Sequence, residues 1–113
     1  MPNISTKVNV SIPQDKEIAI KTKLGKAISL LSGKSESWLM CSFEENCHLY
    51  FQGKDDPAAF VQVQVFGKIN PSQAENLTAE ICNIIESELA ISQSRIYVKY
   101  EEVSLWGWNG GNF

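Results

Sequence analysis

Basic clusters are missing from this chain of 113 residues. Lys and Arg number 10 against 13 Asp and Glu, no basic cluster exceeds two residues, and the formal net charge is −3. Such a surface is poorly suited to neutralising phosphates, so nucleic acid is not an expected partner. Long apolar runs are missing too, which argues against a membrane span. The first residues lack the positive stretch and apolar stretch of a secretory leader. Histidine occurs once, as His48, and no serine sits in a hydrolase motif. The three cysteines, Cys41, Cys47 and Cys82, form no C-x-x-C pair. A thioredoxin-like dithiol is therefore unsupported, and Cys41, Cys47 and His48 make a poor metal set without a fourth ligand. No metal or cofactor is expected. An odd cysteine count without a leader predicts reduced thiols and a cytoplasmic setting, with leaderless secretion left open. Cys41 and Cys82 read as core residues.

What is present is an ordinary globular balance, 43% hydrophobic and 20% charged. Its length fits a single domain over residues 1–113. The chain also repeats itself without a gap. Ser37–Glu45 lines up with Ser94–Glu102. At the same shift Ile20, Leu24, Ala27 and Ile28 fall on Leu77, Ile81, Ile84 and Ile85, and Ile4, Thr6 and Val8 fall on Val61, Val63 and Val65. The repeats are residues 1–57 and 58–113.

Each half reads as strand, helix, strand. Residues 3–10 and 58–66 are predicted strands, as are Trp38–Glu45 and Arg95–Glu102. The apolar residues at helical spacing form one-sided stripes, so each helix covers a sheet. The second helix opens on Asn70-Pro71-Ser72-Gln73, a cap, a first-turn proline and a Gln expected to reach back to the cap. The first ends at Ser32-Gly33. A small strand is predicted at His48–Gln52, a junction at Gly53–Pro57, and a last short strand at Trp106–Trp108. The fold class is α+β: two pseudo-twofold βαβ repeats forming a four-stranded mixed sheet with two helices on one face. Val8, Val10 and Phe60 suggest that the other face is not polar throughout, which predicts a homo-oligomer.

Several residues invite a chemical reading. Removal of Met1 is expected before a small residue such as Pro2, leaving a secondary amine. An α-amino group titrates near 7.7–8.0, and burial or a nearby cation lowers it. A neutral amine of that kind abstracts a proton next to a carbonyl. The same Met-Pro start also reads as a blunted edge strand. Lys34 reads either as a helix C-terminal dipole partner or as a cation for a substrate carboxylate. Trp38, Tyr97, Trp106, Trp108 and Phe113 concentrate on strand starts and the glycine-rich tail. Such aromatics are core or rim a pocket.

Met1-Pro2, Gly33-Lys34 with Trp38 and Met40, Phe51-Gln-Gly53, Asp56-Pro57-Ala-Ala59, Phe66-Gly67-Lys-Ile69, Arg95-Ile-Tyr97, and Gly107-Trp-Asn-Gly110 with Phe113 together resemble the macrophage migration inhibitory factor family over the whole chain. The resemblance implies a homotrimer with a keto–enol tautomerase site at subunit interfaces. In that reading Pro2 matches the catalytic base and Lys34 the residue that holds a substrate carboxylate. Phe66 matches an apolar position whose backbone N–H lies at the site, and Trp38 and Tyr97 match aromatics from the adjacent subunit. Trp106, Trp108 and Phe113 match the apolar rim. The implied partner is a small enolisable carboxylate of the phenylpyruvate or dopachrome type. A protein receptor is a further implied partner, and a cytokine-like regulatory protein with incidental catalysis is the alternative reading. The chain departs from the family pattern at Val65, where many members have serine, and at Lys99, which adds a second cation beside the pocket. Trp106 is bulkier than the usual residue.

Overall fold

The computed structural model describes residues 1–113. Strand β1 (Pro2–Val8) leads to helix α1 (Gln14–Ala27) and strand β2 (Met40–Glu44). Strand β3 (Ala59–Phe66), helix α2 (Pro71–Leu89) and strand β4 (Ile96–Val103) repeat the plan. The sheet order is β2-β1-β3-β4. β1 pairs with β2 and β3 with β4 in parallel, and β1 meets β3 antiparallel at the centre. A parallel pair needs a crossover, and each helix supplies one.

Strict alternation builds the central strands. Along β1, Ile4, Thr6 and Val8 are buried while Asn3, Ser5 and Lys7 are half-exposed, and β3 buries Val61, Val63 and Val65 in the same way. The helical stripes meet them: Ile20, Leu24 and Ile28 from the first half, Leu77, Ile81 and Ile85 from the second, all with essentially no exposure. All belong to one cluster of 19 buried residues, so both helices lie on the same sheet face. Each fully buried side chain of this size contributes about 1.5–3 kcal/mol of apolar transfer. No helix is long and apolar enough to cross a membrane.

On the uncovered face the expectation holds for Phe60 and not for the two valines. Val8 packs under the helices, and Val10 packs against the same core. The uncovered face instead carries Asn3, Ser5, Lys7, Gln62, Gln64, Lys99 and Glu101, with Phe60 and Tyr97 at one end. It is mostly polar because the period of two sends every second residue of β1 and β3 there, and these are Asn3, Ser5, Lys7, Gln62 and Gln64, with Phe60 and Phe66 at the two ends of β3.

Three local expectations are corrected. His48–Gln52 is not a strand; only an isolated bridge joins Phe51 to Lys54 around Gln52 (φ 56°) and Gly53 (φ 75°). The chain follows the end of β1, where the Asn46 and Cys47 N–H groups donate to the carbonyls of Val10 and Val8, and only then leaves the sheet. Trp38 does not begin β2. It closes a 3₁₀ turn over Glu36–Trp38, in which the Trp38 N–H donates to the Ser35 carbonyl, and the strand starts at Met40. Gln73 does not reach back to its own cap. Its amide exchanges two hydrogen bonds with Ser32, at 3.0 and 2.6 Å, and ties the start of α2 to the end of the first helical run. Asn70 caps α2 unaided, its Oδ1 accepting from the N–H groups of Ser72 and Gln73 at 3.0 and 3.1 Å. The α-helix of the first half ends at Ala27 and tightens to 3₁₀ over Ile28–Leu30 before Gly33 (φ 78°) turns the chain away.

The tail folds into a hairpin. Strands β5 (Gly107–Trp108) and β6 (Gly111–Asn112) pair around Asn109 and Gly110, both in the left-handed region. This is the two-residue turn that Asn-Gly favours.

Candidate functional site

Pro2 begins β1 opposite Val65 of β3, and its ring is buried. Next to it opens a cavity of about 720 Å³ whose lining includes Pro2, Asn3, Trp38, Gln64, Trp106 and Trp108. The 3₁₀ turn delivers Trp38 and the tail hairpin delivers Trp108. Their rings meet edge to face, 5.0 Å between centroids at 83°, a favoured aromatic geometry. Phe113 stacks on Trp108 at 6.3 Å and 11°, and packs on Phe66 at 5.5 Å. The Phe113 N–H also donates to the Trp106 carbonyl. The tail hairpin is thus fixed against the end of β3, and its aromatics form one continuous wall.

Lys34 stands behind this wall. It lines a neighbouring cavity of about 390 Å³ with Val65 and Gln73. Its Nζ donates to the Phe66 carbonyl at 3.0 Å. The ammonium is still close enough to matter at the chain start. The α-amino group of Met1 is held below its ordinary value, first by burial and second by the Lys34 charge. The Met1 carbonyl accepts the Phe66 N–H at 3.0 Å. The N–H and C=O of Phe66 are therefore both committed, one to the first residue and one to the lysine.

Tyr97 and Lys99 are not brought to this cavity within one chain. Tyr97 pairs with Phe60, five residues along β3 from Val65. At about 3.3 Å per residue that is roughly 16 Å away. There Tyr97 packs edge to face on Phe51 at 5.0 Å, under the Arg95 guanidinium, which lies 5.2 Å from the Phe51 ring centre. Lys99 is exposed on the uncovered face opposite Gln62. Trp38 lines the cavity of its own chain, so its approach to Pro2 requires no neighbouring copy. Val65 is fully buried, which puts an apolar side chain where a hydroxyl would need a partner.

Asn3 and Gln64 were missed by sequence reasoning. Both line the cavity, and the signal was their shared parity on two paired strands, which becomes readable only once the β1–β3 register is known. No group of three or more His, Cys, Asp or Glu side chains is assembled that could hold a metal ion. The Cys41 thiol is pushed up to about 11, chiefly by burial and then by Glu36.

Residues 1–113 match the macrophage migration inhibitory factor (MIF) family from end to end. The chain belongs to this family. Mouse macrophage migration inhibitory factor is 26% identical over 118 residues, spanning 100% of this chain and 99% of its own. The crystal structure of MIF2 from Leishmania major superposes with a TM-score of 0.94 at 35% identity, covering 100% of this chain and 97% of that one. The MIF homologue from Prochlorococcus marinus gives 0.89 at 30% identity, covering 98% of each chain.

Proposed function

We propose that this MIF-family chain is a keto–enol tautomerase whose base is the Pro2 amine, freed by removal of Met1. The observation that carries the reading is an amino terminus depressed by burial and by Lys34, at an aromatic-walled cavity. In this reading a Pro2 amine, one residue on, meets the same burial and the same Lys34 charge, and both favour its neutral form. Loss of Met1 also removes the acceptor of the Phe66 N–H, which leaves a backbone donor directed at the space the methionine occupied.

The proton bookkeeping is simple. The neutral Pro2 nitrogen takes the enol O–H proton as the C–O bond gains double-bond character. It then returns that proton to the adjacent carbon, and the reverse direction runs through the same ammonium. The Lys34 charge attracts the substrate carboxylate, and the tryptophan walls hold an aryl ring. Arylpyruvates and dopachrome-like compounds fit this description. The reading extends to a homotrimer in which Tyr97 and Lys99 of one copy complete the site of the next. The exposed aromatic cleft at Tyr50, Phe51 and Tyr97 supports that extension.

The test is enol-to-keto conversion of phenylpyruvate by wild type and Pro2→Gly, with mass spectrometry of each to establish the first residue. A loss of at least 100-fold in kcat/KM is expected. Equal rates remove Pro2 from the mechanism. Sedimentation of a fully active monomer removes the shared site.

A further inference from the structure

The turn that carries Lys34 is held from the other half of the chain. Leu31 is buried, and its carbonyl accepts the Lys34 N–H at 3.1 Å. Ser32 and Gly33 (φ 78°) are the two exposed residues between them. Gln73 grips this exposed pair through Ser32. The Ser32 N–H donates to Gln73 Oε1 at 3.0 Å, and Gln73 Nε2 donates to Ser32 Oγ at 2.6 Å. Gln73 is itself fixed, since it stands in the first turn of α2 and its own N–H donates to the Asn70 cap at 3.1 Å. The turn is therefore anchored on the start of α2.

Lys34 leaves the chain two residues after Ser32. Its Nζ reaches the Phe66 carbonyl at 3.0 Å and takes part in none of the ion pairs. A lysine stem gives up more rotamer freedom than one hydrogen bond to a neutral carbonyl recovers. Keeping the ammonium on Phe66 thus depends on where the backbone of residue 34 is held. Ser32, Lys34 and Gln73 share the cavity of about 390 Å³, and neither Ser32 nor Gln73 lines the Pro2 cavity. An effect of Gln73 at the Pro2 cavity must then be relayed. Lys68 also lines the smaller cavity, but its side chain is 94% exposed and paired with Glu102. Lys34 is the cation that the Gln73 tie controls.

We propose that Gln73 is a positioning residue, whose two hydrogen bonds to Ser32 hold the turn so that the Lys34 ammonium stays on the Phe66 carbonyl, where it serves a bound carboxylate. The inference rests on the reading of Lys34 as the cation for that carboxylate.

The probes are cinnamate and its uncharged amide, titrated by quenching of tryptophan fluorescence. The α-amino group is titrated in parallel by NMR on protein labelled at its first residue. Wild type is expected to bind the carboxylate about tenfold more tightly than the amide. Gln73→Met keeps the length of the side chain and its lack of charge but breaks both bonds. It is expected to cut that preference about fivefold, to leave amide binding within about twofold, and to move the amine midpoint upward, the same way as Lys34→Ala. Ser32→Ala removes one bond and is expected to act in the same direction, whereas Ser32→Thr keeps the hydroxyl and both readouts. In a Lys34→Ala background Gln73→Met should change neither. Equal weakening of both probes, an unchanged preference, or the same effect without Lys34 overturns the positioning role. So does a Lys34→Ala protein with the preference and midpoint of wild type. Thermal melts confirm that each variant is folded. Neither readout uses turnover, so the outcomes separate. The expected pattern with no Pro2-dependent turnover keeps the tie and removes the tautomerase. Turnover that needs Pro2 and Lys34 but not Gln73 does the opposite.

Discussion

The Lys34 ammonium lies 3.0 Å from the carbonyl oxygen of Phe66, so β3 itself holds the cation that depresses the amino terminus. This sets the sign of a pH experiment. In the proposed tautomerase the Pro2 amine works as a base only when neutral, so kcat/KM is expected to rise as pH passes its pKa. Lys34→Ala removes the second cause of the depression and leaves the first, burial. The rising limb is expected to move to higher pH, and kcat/KM to fall about 10–100-fold with the loss of a charge-assisted carboxylate contact. A pH–rate profile checks both, and a limb that stays in place separates Lys34 from the amine.

Arg95 makes a second kind of clamp. Its guanidinium donates to the carbonyls of Phe51, Lys54, Asp56 and Pro57, at 2.9 to 3.2 Å. Arg95→Ala is expected to cost about 2 kcal/mol and to speed proteolysis within residues 53–57. Arg95→Lys should recover little, since an ammonium cannot span four carbonyls as a planar fork does. Denaturant melts and limited digestion provide the measurement.

Asn70 holds two orphan N–H groups of α2 with one oxygen. Asn70→Ala is expected to lower stability by about 1 kcal/mol, or roughly 4–8 °C in Tm. Asn70→Asp should retain most of it. Thermal unfolding by circular dichroism decides.

The cysteines should separate by reactivity. Burial raises Cys82, with Glu86 adding to it, and carries Cys41 to about 11. Both thiols therefore stay protonated at pH 8, and the thiol is a poor nucleophile. Cys47 sits half-buried in an exposed turn. Brief alkylation at pH 8 followed by peptide mass mapping is expected to mark Cys47 first.

The sheet and both helices were legible because their signals are periodic. Ile4, Thr6 and Val8 announce a strand by parity, and Leu77, Ile81 and Ile85 announce a helix by spacing. Trp38 misled because an aromatic before an alternating run looks like part of it, whereas local carbonyls at Ser35 and Glu36 curl the backbone first. Gln73 misled because a capping pattern specifies a local partner, and a distant serine competed successfully. Leu49–Phe51 had the composition of a strand but pairs only through the single Phe51–Lys54 bridge. Of the candidate site, Pro2 and the tail tryptophans were named from the sequence, and they line the aromatic cavity. Asn3 and Gln64 were not, since no residue type alone marks which strands will pair.

The closure of the tail hairpin onto β3 has a practical meaning for handling this protein. Met1 hydrogen-bonds to Phe66, and Phe113 packs on the same Phe66. Both ends of the chain therefore converge on a single residue beside the cavity. An affinity tag or fluorescent fusion at the first residue would block the amine, and one at Phe113 would pry at the aromatic wall. A label is better carried on an exposed side chain of α1, such as Lys21, which touches neither.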